Sequence, residues 1–189
     1  MTRALCTGVG IFACLACGGV LEDEQHALDA SDHAVLVEVA DLQSEFPATV
    51  FDPTKETWSK VKSFGSWELE YGYESDDFAV SSLVFVEDTP DDASWVMWGF
   101  GIAPAMLESE GITFDQDDSL VSGGDEKKCG VLRTDGNPVG NLCLVRDGSI
   151  AIALVMVGGY YDTPGGLDVI LGAPRAALVG YTPKPSPLP

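Results

Sequence analysis

The stretch Trp67-Glu68-Leu69-Glu70-Tyr71-Gly72-Tyr73-Glu74 carries apolar residues at every second position. A period of two is typical of a β-strand with one buried and one solvated face. The turn Ser75-Asp76-Asp77 leads into a second predicted strand over residues 78–86. We predict three more strands at about residues 127–133, 140–146 and 149–157, joined as a meander. The last of these alternates large and small side chains, as a central strand covered on both faces does.

Helix-starting residues follow the second and the last of these strands. Thr89 can cap a helix and Pro90 suits its first position, although Gly99 and Pro104 predict a break. Thr163-Pro164 repeats this pattern and predicts a last helix reaching Leu178. Residues 35–42 fit either a strand or a helix, and residues 43–65 are predicted to be mostly loop. The fold class expected is α+β, with an antiparallel sheet of about five strands and two or three helices packed on it.

The N-terminus is predicted to be processed. Residues 1–16 carry Arg3 and then an apolar run too short to span a bilayer, which is typical of a signal peptide. Leu15-Ala16-Cys17-Gly18 resembles a bacterial lipobox, with Cys17 acylated and becoming the mature N-terminus. Cys14 is the alternative, but the bulky Phe12 disfavours it. Gly18 after Cys17 predicts sorting to the outer membrane, where the lipid would make the contact with the membrane.

Cys129 and Cys143 remain once the signal peptide and the lipidated residue are set aside. A hairpin folded about Gly136 places them opposite each other, close enough for a disulfide bond. Such a bond forms in an oxidising compartment and stabilises a fold by roughly 3 kcal/mol. Two buried free thiols are the alternative.

The composition limits the partners. The chain has 189 residues, with 30 acidic and 10 basic side chains and a net charge of −20. No basic stripe is present to neutralise phosphates, so nucleic acid is not expected as a partner. We expect an acidic disordered tether over residues 17–32, a single α+β domain over 33–181 and a Pro-rich tail over 182–189.

A resemblance covers about residues 34–178. Its motifs are Ala40-Asp41-Leu42, Phe46-Pro47, Thr89-Pro90, Gly124-Asp125-Glu126 and Arg146-Asp147-Gly148 before an apolar strand. Together they look like the sensor-type extracellular domains of bacterial receptor kinases and free lipoproteins. The resemblance implies an antiparallel sheet with helices packed on it and an extracytoplasmic location, and it favours a helix over residues 35–42. None of the motifs is catalytic.

Catalytic patterns are scarce in this sequence. His26 and His33 are the two histidines, and both lie at the predicted tether, where with Asp29 they form a weak metal-site pattern. No Gly-x-Ser-x-Gly elbow exposes a serine. A disulfide would remove both remaining cysteines as nucleophiles. The chain is therefore predicted not to be an enzyme, with a carboxylate-dependent hydrolase using Glu68, Glu70 and Glu74 as the remaining enzymatic alternative.

Two candidate binding sites remain. Trp95, Met97, Trp98 and Phe100 could line an apolar ligand pocket, although their spacing also fits a core stripe. Asp115, Asp117 and Asp118 offer hard oxygen ligands for Ca²⁺, without the spacing of an EF-hand, so that solubilising loops remain the simpler interpretation and no cofactor is expected. We expect a non-enzymatic, lipid-anchored interaction module that contacts another envelope component. A sensor for a small apolar or cationic ligand is the alternative.

Overall fold

The computed structural model describes residues 24–100, 107–109 and 111–188. These residues form one antiparallel sheet of eight strands in the order β1-β2-β3-β4-β8-β7-β6-β5. The strands are β1 (Glu24–Gln25), β2 (Glu56–Ser63), β3 (Ser66–Glu74), β4 (Ala79–Val86), β5 (Ile112–Gln116), β6 (Glu126–Thr134), β7 (Asn137–Asp147) and β8 (Ile150–Val157). The helices are α1 (Ala30–His33), α2 (Val39–Leu42), α3 (Pro90–Phe100) and α4 (Asp168–Ala177), and residues 107–109 are also helical. None of the described helices has the length and apolar content needed to cross a bilayer.

The sheet has two faces with different coverings. On the core face, Leu69, Val84 and Leu154 belong to the main hydrophobic cluster, together with residues of α2 and α4. On the opposite face, which we call the α3 face, Met97 packs against Leu83 of β4, Leu144 of β7 and Ala153 of β8. Because successive side chains of a strand point to opposite faces, each central strand contributes to both layers. The α+β class and the single antiparallel sheet are therefore confirmed.

Five predicted strands are present as β3, β4, β6, β7 and β8, but the predicted strand number is too low. β1, β2 and β5 complete the sheet, and β2 occupies residues that we predicted to be loop. The local pattern of β2 is misleading because Lys60, a charged residue, points into the core and is 1% exposed. Alternation of apolar and polar residues cannot reveal a strand whose inward position carries an ammonium group.

Lys60 is neutralised by a residue from the predicted tether. Its Nζ donates to Asp32 Oδ2 at 2.6 Å, and both side chains are fully buried. The Tyr181 hydroxyl donates to the other oxygen of Asp32, and the backbone N–H of Asp29 donates to Oδ2 at 2.7 Å. Asp29 also caps α1 in a capping box with Asp32. The prediction of a disordered tether is therefore wrong for residues 24–32, which pack against the sheet.

The C-terminal tail also lies on the domain rather than apart from it. The backbone N–H of Ala27 donates to the carbonyl oxygen of Ser186 at 3.1 Å, and Pro183 is buried. The segment before α1 and the tail after Tyr181 are therefore hydrogen-bonded to each other beside β2.

The predicted helix starts have different outcomes. Thr89 caps α3 as expected, with its hydroxyl accepting from the N–H of Asp92 at 3.2 Å. The helix predicted from Thr163-Pro164 begins only at Asp168, because Gly165 has φ +70°, which a right-handed helix does not allow. Residues 35–42 resolve as buried turns followed by the short helix α2. The break predicted near Pro104 lies outside the described residues.

The disulfide prediction is confirmed, since Cys129 and Cys143 are bonded and directly paired across β6 and β7. The hairpin turns through Asp135 and Gly136, both at positive φ. A register shift beside Leu132 adds one residue to β7 and thereby brings the two cysteines opposite each other.

The first prediction concerns the buried ion pair. We expect Lys60→Met to lower the free energy of unfolding by about 3–5 kcal/mol, because it leaves the Asp32 carboxylate buried without its counter-charge. Adding Asp32→Asn should restore most of this loss. Lys62→Met, on a half-buried residue of the same strand, is the control and should have a small effect. Urea unfolding of the three variants measures the difference, and equal losses for Lys60→Met and Lys62→Met would contradict the role of the pair.

Candidate functional site

The outward side of α3 carries two exposed tryptophans. Trp95 and Trp98 are each 69% exposed, and their rings meet edge to face with centroids 5.9 Å apart. The buried side of the same helix is formed by Ala93 and Met97. A single exposed apolar residue is common, whereas two large exposed aromatic rings in contact form an apolar patch, which marks a surface for interaction. The tryptophan pair is therefore available for contact with another molecule.

A groove of about 380 Å³ runs between α3 and β6 beside this pair. We call it the tryptophan groove. Its lining residues come from the two elements: Ser94, Met97, Trp98, Glu126, Lys127 and Lys128. Two of these six residues are apolar, Met97 and Trp98, and the other four are polar or charged, so the groove is more polar than most small-molecule pockets.

Glu126 is held in place within the groove. Its Oε1 accepts from Arg146 Nη2 at 2.9 Å and from Ser94 Oγ at 3.0 Å. The hydrogen bond from Arg146, followed by that from Ser94, holds the pKa of Glu126 below its usual range. The carboxylate is therefore ionised and has a fixed position, while its side chain is 43% exposed.

The basic residues of the groove have different roles. Lys127 sends its ammonium to the other face of β6, where it donates to the carbonyl oxygen of Val121 at 2.7 Å. Lys128 lies on the α3 face, two residues from Glu126, and has no ion pair within the described part of the chain. Arg146 is bound by Glu126, by Asp125 at 3.5 Å and by the carbonyl oxygen of Gly148 at 2.8 Å.

The structure brings part of the predicted ligand site together. Met97 and Trp98 line the groove, Trp95 stands beside it, and Phe100 ends α3 with a side chain outside the described set. Ser94, Glu126 and Lys128 also line the groove and were not among the site residues predicted from the sequence. Glu126 could have been found from the predicted hairpin. The register that pairs Cys129 with Cys143 also places Glu126 opposite Arg146, which predicts an ion pair.

The three aspartates considered for Ca²⁺ have separate local roles. Asp115 Oδ2 accepts from Arg133 Nε at 2.6 Å. Asp117 caps the turn at Ser119, whose N–H lies 2.9 Å from Oδ1. Asp118 Oδ1 accepts from the N–H of Cys129 at 2.9 Å. Across residues 24–100, 107–109 and 111–188, no group of His, Cys, Asp and Glu side chains has a metal-binding arrangement.

The three glutamates of β3 lie on the α3 face, as their spacing predicts. Glu68 and Glu70 are half-buried there, and Glu74 is exposed at the end of the strand. Burial raises the pKa of Glu70, opposed by a weak contact with Ser59 at 3.5 Å. The environment of Glu70 therefore favours its neutral form.

Both histidines have local partners near β2. His26 Nδ1 lies 3.3 Å from the carbonyl oxygen of Ser186, and its ring stacks obliquely on Trp67. His33 Nδ1 lies 2.6 Å from Glu38 Oε1. Each histidine therefore contributes a contact that holds the N-terminal segment in place.

A second groove of about 620 Å³ lies beside α4. Arg175 crosses it and binds Asp147 at 2.9 Å and the carbonyl oxygen of Ser122 at 2.6 Å. Asp168 accepts from the N–H of Ser122 at 3.0 Å. The groove beside α4 has no exposed aromatic ring among its lining residues, whereas the tryptophan groove has Trp98, so the tryptophan groove is the stronger candidate site.

Cys17, the predicted lipidation site, lies outside the described residues, as does the whole predicted signal peptide. Searches of protein-family models, curated proteins and solved structures find no match to this chain. The class that the fold defines is an α+β protein built on a single eight-stranded antiparallel sheet.

The second prediction concerns Glu70. Because its pKa in the folded state is raised, the ionised carboxylate destabilises the fold above that pKa, and the penalty disappears when the group is protonated in both states. We expect Glu70→Gln to raise the melting temperature at neutral pH and to have no effect at about pH 3. Glu74→Gln, which removes the same charge from an exposed position, is the control. A Glu70→Gln gain that persisted at the acidic pH would contradict this origin.

Proposed function

We propose that this protein is a non-enzymatic interaction module of the bacterial envelope, anchored through lipid on Cys17. The observation that carries the proposal is the exposed pair Trp95 and Trp98. Tryptophan is enriched among the residues that dominate the binding energy of protein interfaces. A rigid helix that presents two indole rings beside a polar groove suits a protein partner.

The N-terminal sequence supports the location. Residues 1–16 have the features of a signal peptide, and Leu15-Ala16-Cys17-Gly18 resembles a lipobox. A disulfide such as Cys129–Cys143 is typical of oxidising compartments. With acylated Cys17 at the start, the chain reaches Glu24 of β1 after seven residue steps, which is roughly 25 Å when fully extended. The proposed anchor therefore keeps the edge of the sheet near β1 close to the membrane.

The chemistry of the described residues supports a non-enzymatic role. Nδ1 of His26 and Nδ1 of His33 make contacts that hold the N-terminal segment, and Cys129 and Cys143 are joined in a disulfide. Glu70 gives the hydrolase alternative its one point of support, through its raised pKa.

A small-ligand sensor is the second candidate function, and the tryptophan groove favours it. Its volume of about 380 Å³ is within the range of small-molecule sites. The groove is open and shares its indole wall with the exposed pair, so a side chain of a partner protein fits it as readily as a free ligand does.

The third prediction tests the anchor. We expect Cys17→Ser to prevent acylation and to move the protein from the membrane fraction to the soluble fraction of the envelope, because a lipid chain supplies most of the membrane affinity. Cys14→Ser is the matched control and should leave the protein membrane-bound. Intact mass spectrometry of both fractions measures the acyl chains. An unlipidated wild-type protein, or release by Cys14→Ser alone, would contradict the assignment.

The fourth prediction tests the interaction surface. A photo-crosslinking amino acid in place of Trp95 or Trp98 should capture a defined envelope protein in cells, because these side chains lie at the proposed contact. The same amino acid at Val169, which is 60% exposed on α4, is the control. Crosslinks of equal strength and identity from both surfaces, or from neither, would argue against a specific interface on α3.

A further inference from the structure

Three features of the described structure are not used by the proposed function: the Asp32–Lys60 pair, the groove beside α4, and the fixed carboxylate of Glu126. The first is enclosed and the second has its polar groups satisfied internally. Glu126 is different, because it is ionised, partly exposed and placed in the same groove as an exposed indole ring.

Among the described residues, the hydrogen bonds of Glu126 involve only one of its two oxygens. Arg146 and Ser94 both donate to Oε1. Oε2 accepts no hydrogen bond from the described residues, and the side chain is 43% exposed. A carboxylate whose first oxygen is already bound keeps its orientation without a ligand, so a cation that binds Oε2 does not have to order it.

The neighbouring indole ring favours the same kind of ligand. Trp98 lines the groove with its ring 69% exposed, and tryptophan is the aromatic side chain that best attracts a cation over its face. The net charge of −20 adds a long-range attraction for basic partners and repels acidic ones.

The positive charge of Lys128 opposes the binding of a cation in the groove. The ammonium of Lys128 lies on the same strand face as Glu126, two residues away. Arg146 opposes less, because Glu126, Asp125 and a carbonyl oxygen already surround its guanidinium. A cation bound between Trp98 and Glu126 should therefore bind more tightly when Lys128 is neutral, whereas an anion should bind less tightly.

We infer that the tryptophan groove receives a basic side chain, arginine or lysine, from a segment of the partner protein, with the cation placed between the ring of Trp98 and the carboxylate of Glu126. This inference rests on the proposed interaction function and specifies the chemistry of the partner. The net charge of −20 favours a basic protein segment over an acidic one at long range, while within the groove the attraction comes from Glu126 and Trp98 against the ammonium of Lys128.

The fifth prediction uses a small probe on the full mature chain. Acetyl-arginine amide, titrated at physiological ionic strength, should shift the indole N–H resonance of Trp98 in nuclear magnetic resonance spectra. Acetyl-citrulline amide has the same shape without the charge and should not shift it. Equal shifts from both probes would overturn the inference. A shift from choline but not from the arginine probe would also overturn it, since that result indicates a quaternary ammonium ligand.

Variants of the groove make the same test quantitative. Glu126→Gln should weaken binding of the arginine probe about tenfold, and Trp98→Ala about fivefold, because they remove a charge-assisted contact and a cation–π contact respectively. Lys128→Gln should strengthen binding about threefold by removing a like charge. Asp77→Asn, which removes one exposed carboxylate from the turn before β4, is the control and should have little effect. Unchanged binding in Glu126→Gln, or weaker binding in Lys128→Gln, would overturn the inference.

The probe and the crosslinks separate the two proposals. If position 98 captures an envelope protein while the arginine probe fails to bind, the interaction function stands and the basic partner is wrong. If the probe binds with the expected variant effects but no envelope protein is captured, the groove is a cation site and the interaction function is wrong.

Discussion

The antiparallel pairing of β4 with β8 holds the two halves of the sheet together. It pairs eight residues of each strand, from Ala79 with Val157 to Val86 with Ile150, and it joins two four-stranded meanders. Met97 packs across this junction against Leu83 on one side and Ala153 on the other. The small side chains of β8 on this face leave room for the helix. The position of α3, and with it the tryptophan groove, is therefore set by residues far apart in the sequence.

On the core face, a buried ion pair joins β2 to the N-terminal segment. Lys60 meets Asp32 from 28 residues earlier, while Asp32 also binds Tyr181 from 149 residues later. Removing either charge leaves the other without compensation in a medium of low polarity. The raised pKa of Tyr181, caused by burial and then by Asp32, keeps its hydroxyl as a hydrogen-bond donor. This cluster explains how a strand with a charged inward residue becomes part of the sheet.

The sequence could predict the features that depend on interactions between residues close together in the chain or directly paired in a hairpin. The alternation of β3, the cap at Thr89 and the hairpin with its disulfide were correctly predicted, because each depends on neighbouring or directly paired residues. β2 could not be found, since the partner of Lys60 is remote. The same limit applies to Trp95 and Trp98, whose helical spacing also fits a core stripe, although the side of α3 that is buried carries Ala93 and Met97 instead.

The groove is built from two walls of different origin. Glu126 stands on β6, which the disulfide joins to β7 three residues further along, and Arg146 of β7 fixes its carboxylate. Trp98 stands on α3, whose place depends on the packing of Met97 over the junction of the two meanders. One wall is therefore held by covalent and charge-assisted bonds, and the other by apolar contact. Since Ser94 of α3 also donates to Glu126 at 3.0 Å, this hydrogen bond joins the two walls and helps to set the distance that a ligand between them must fit.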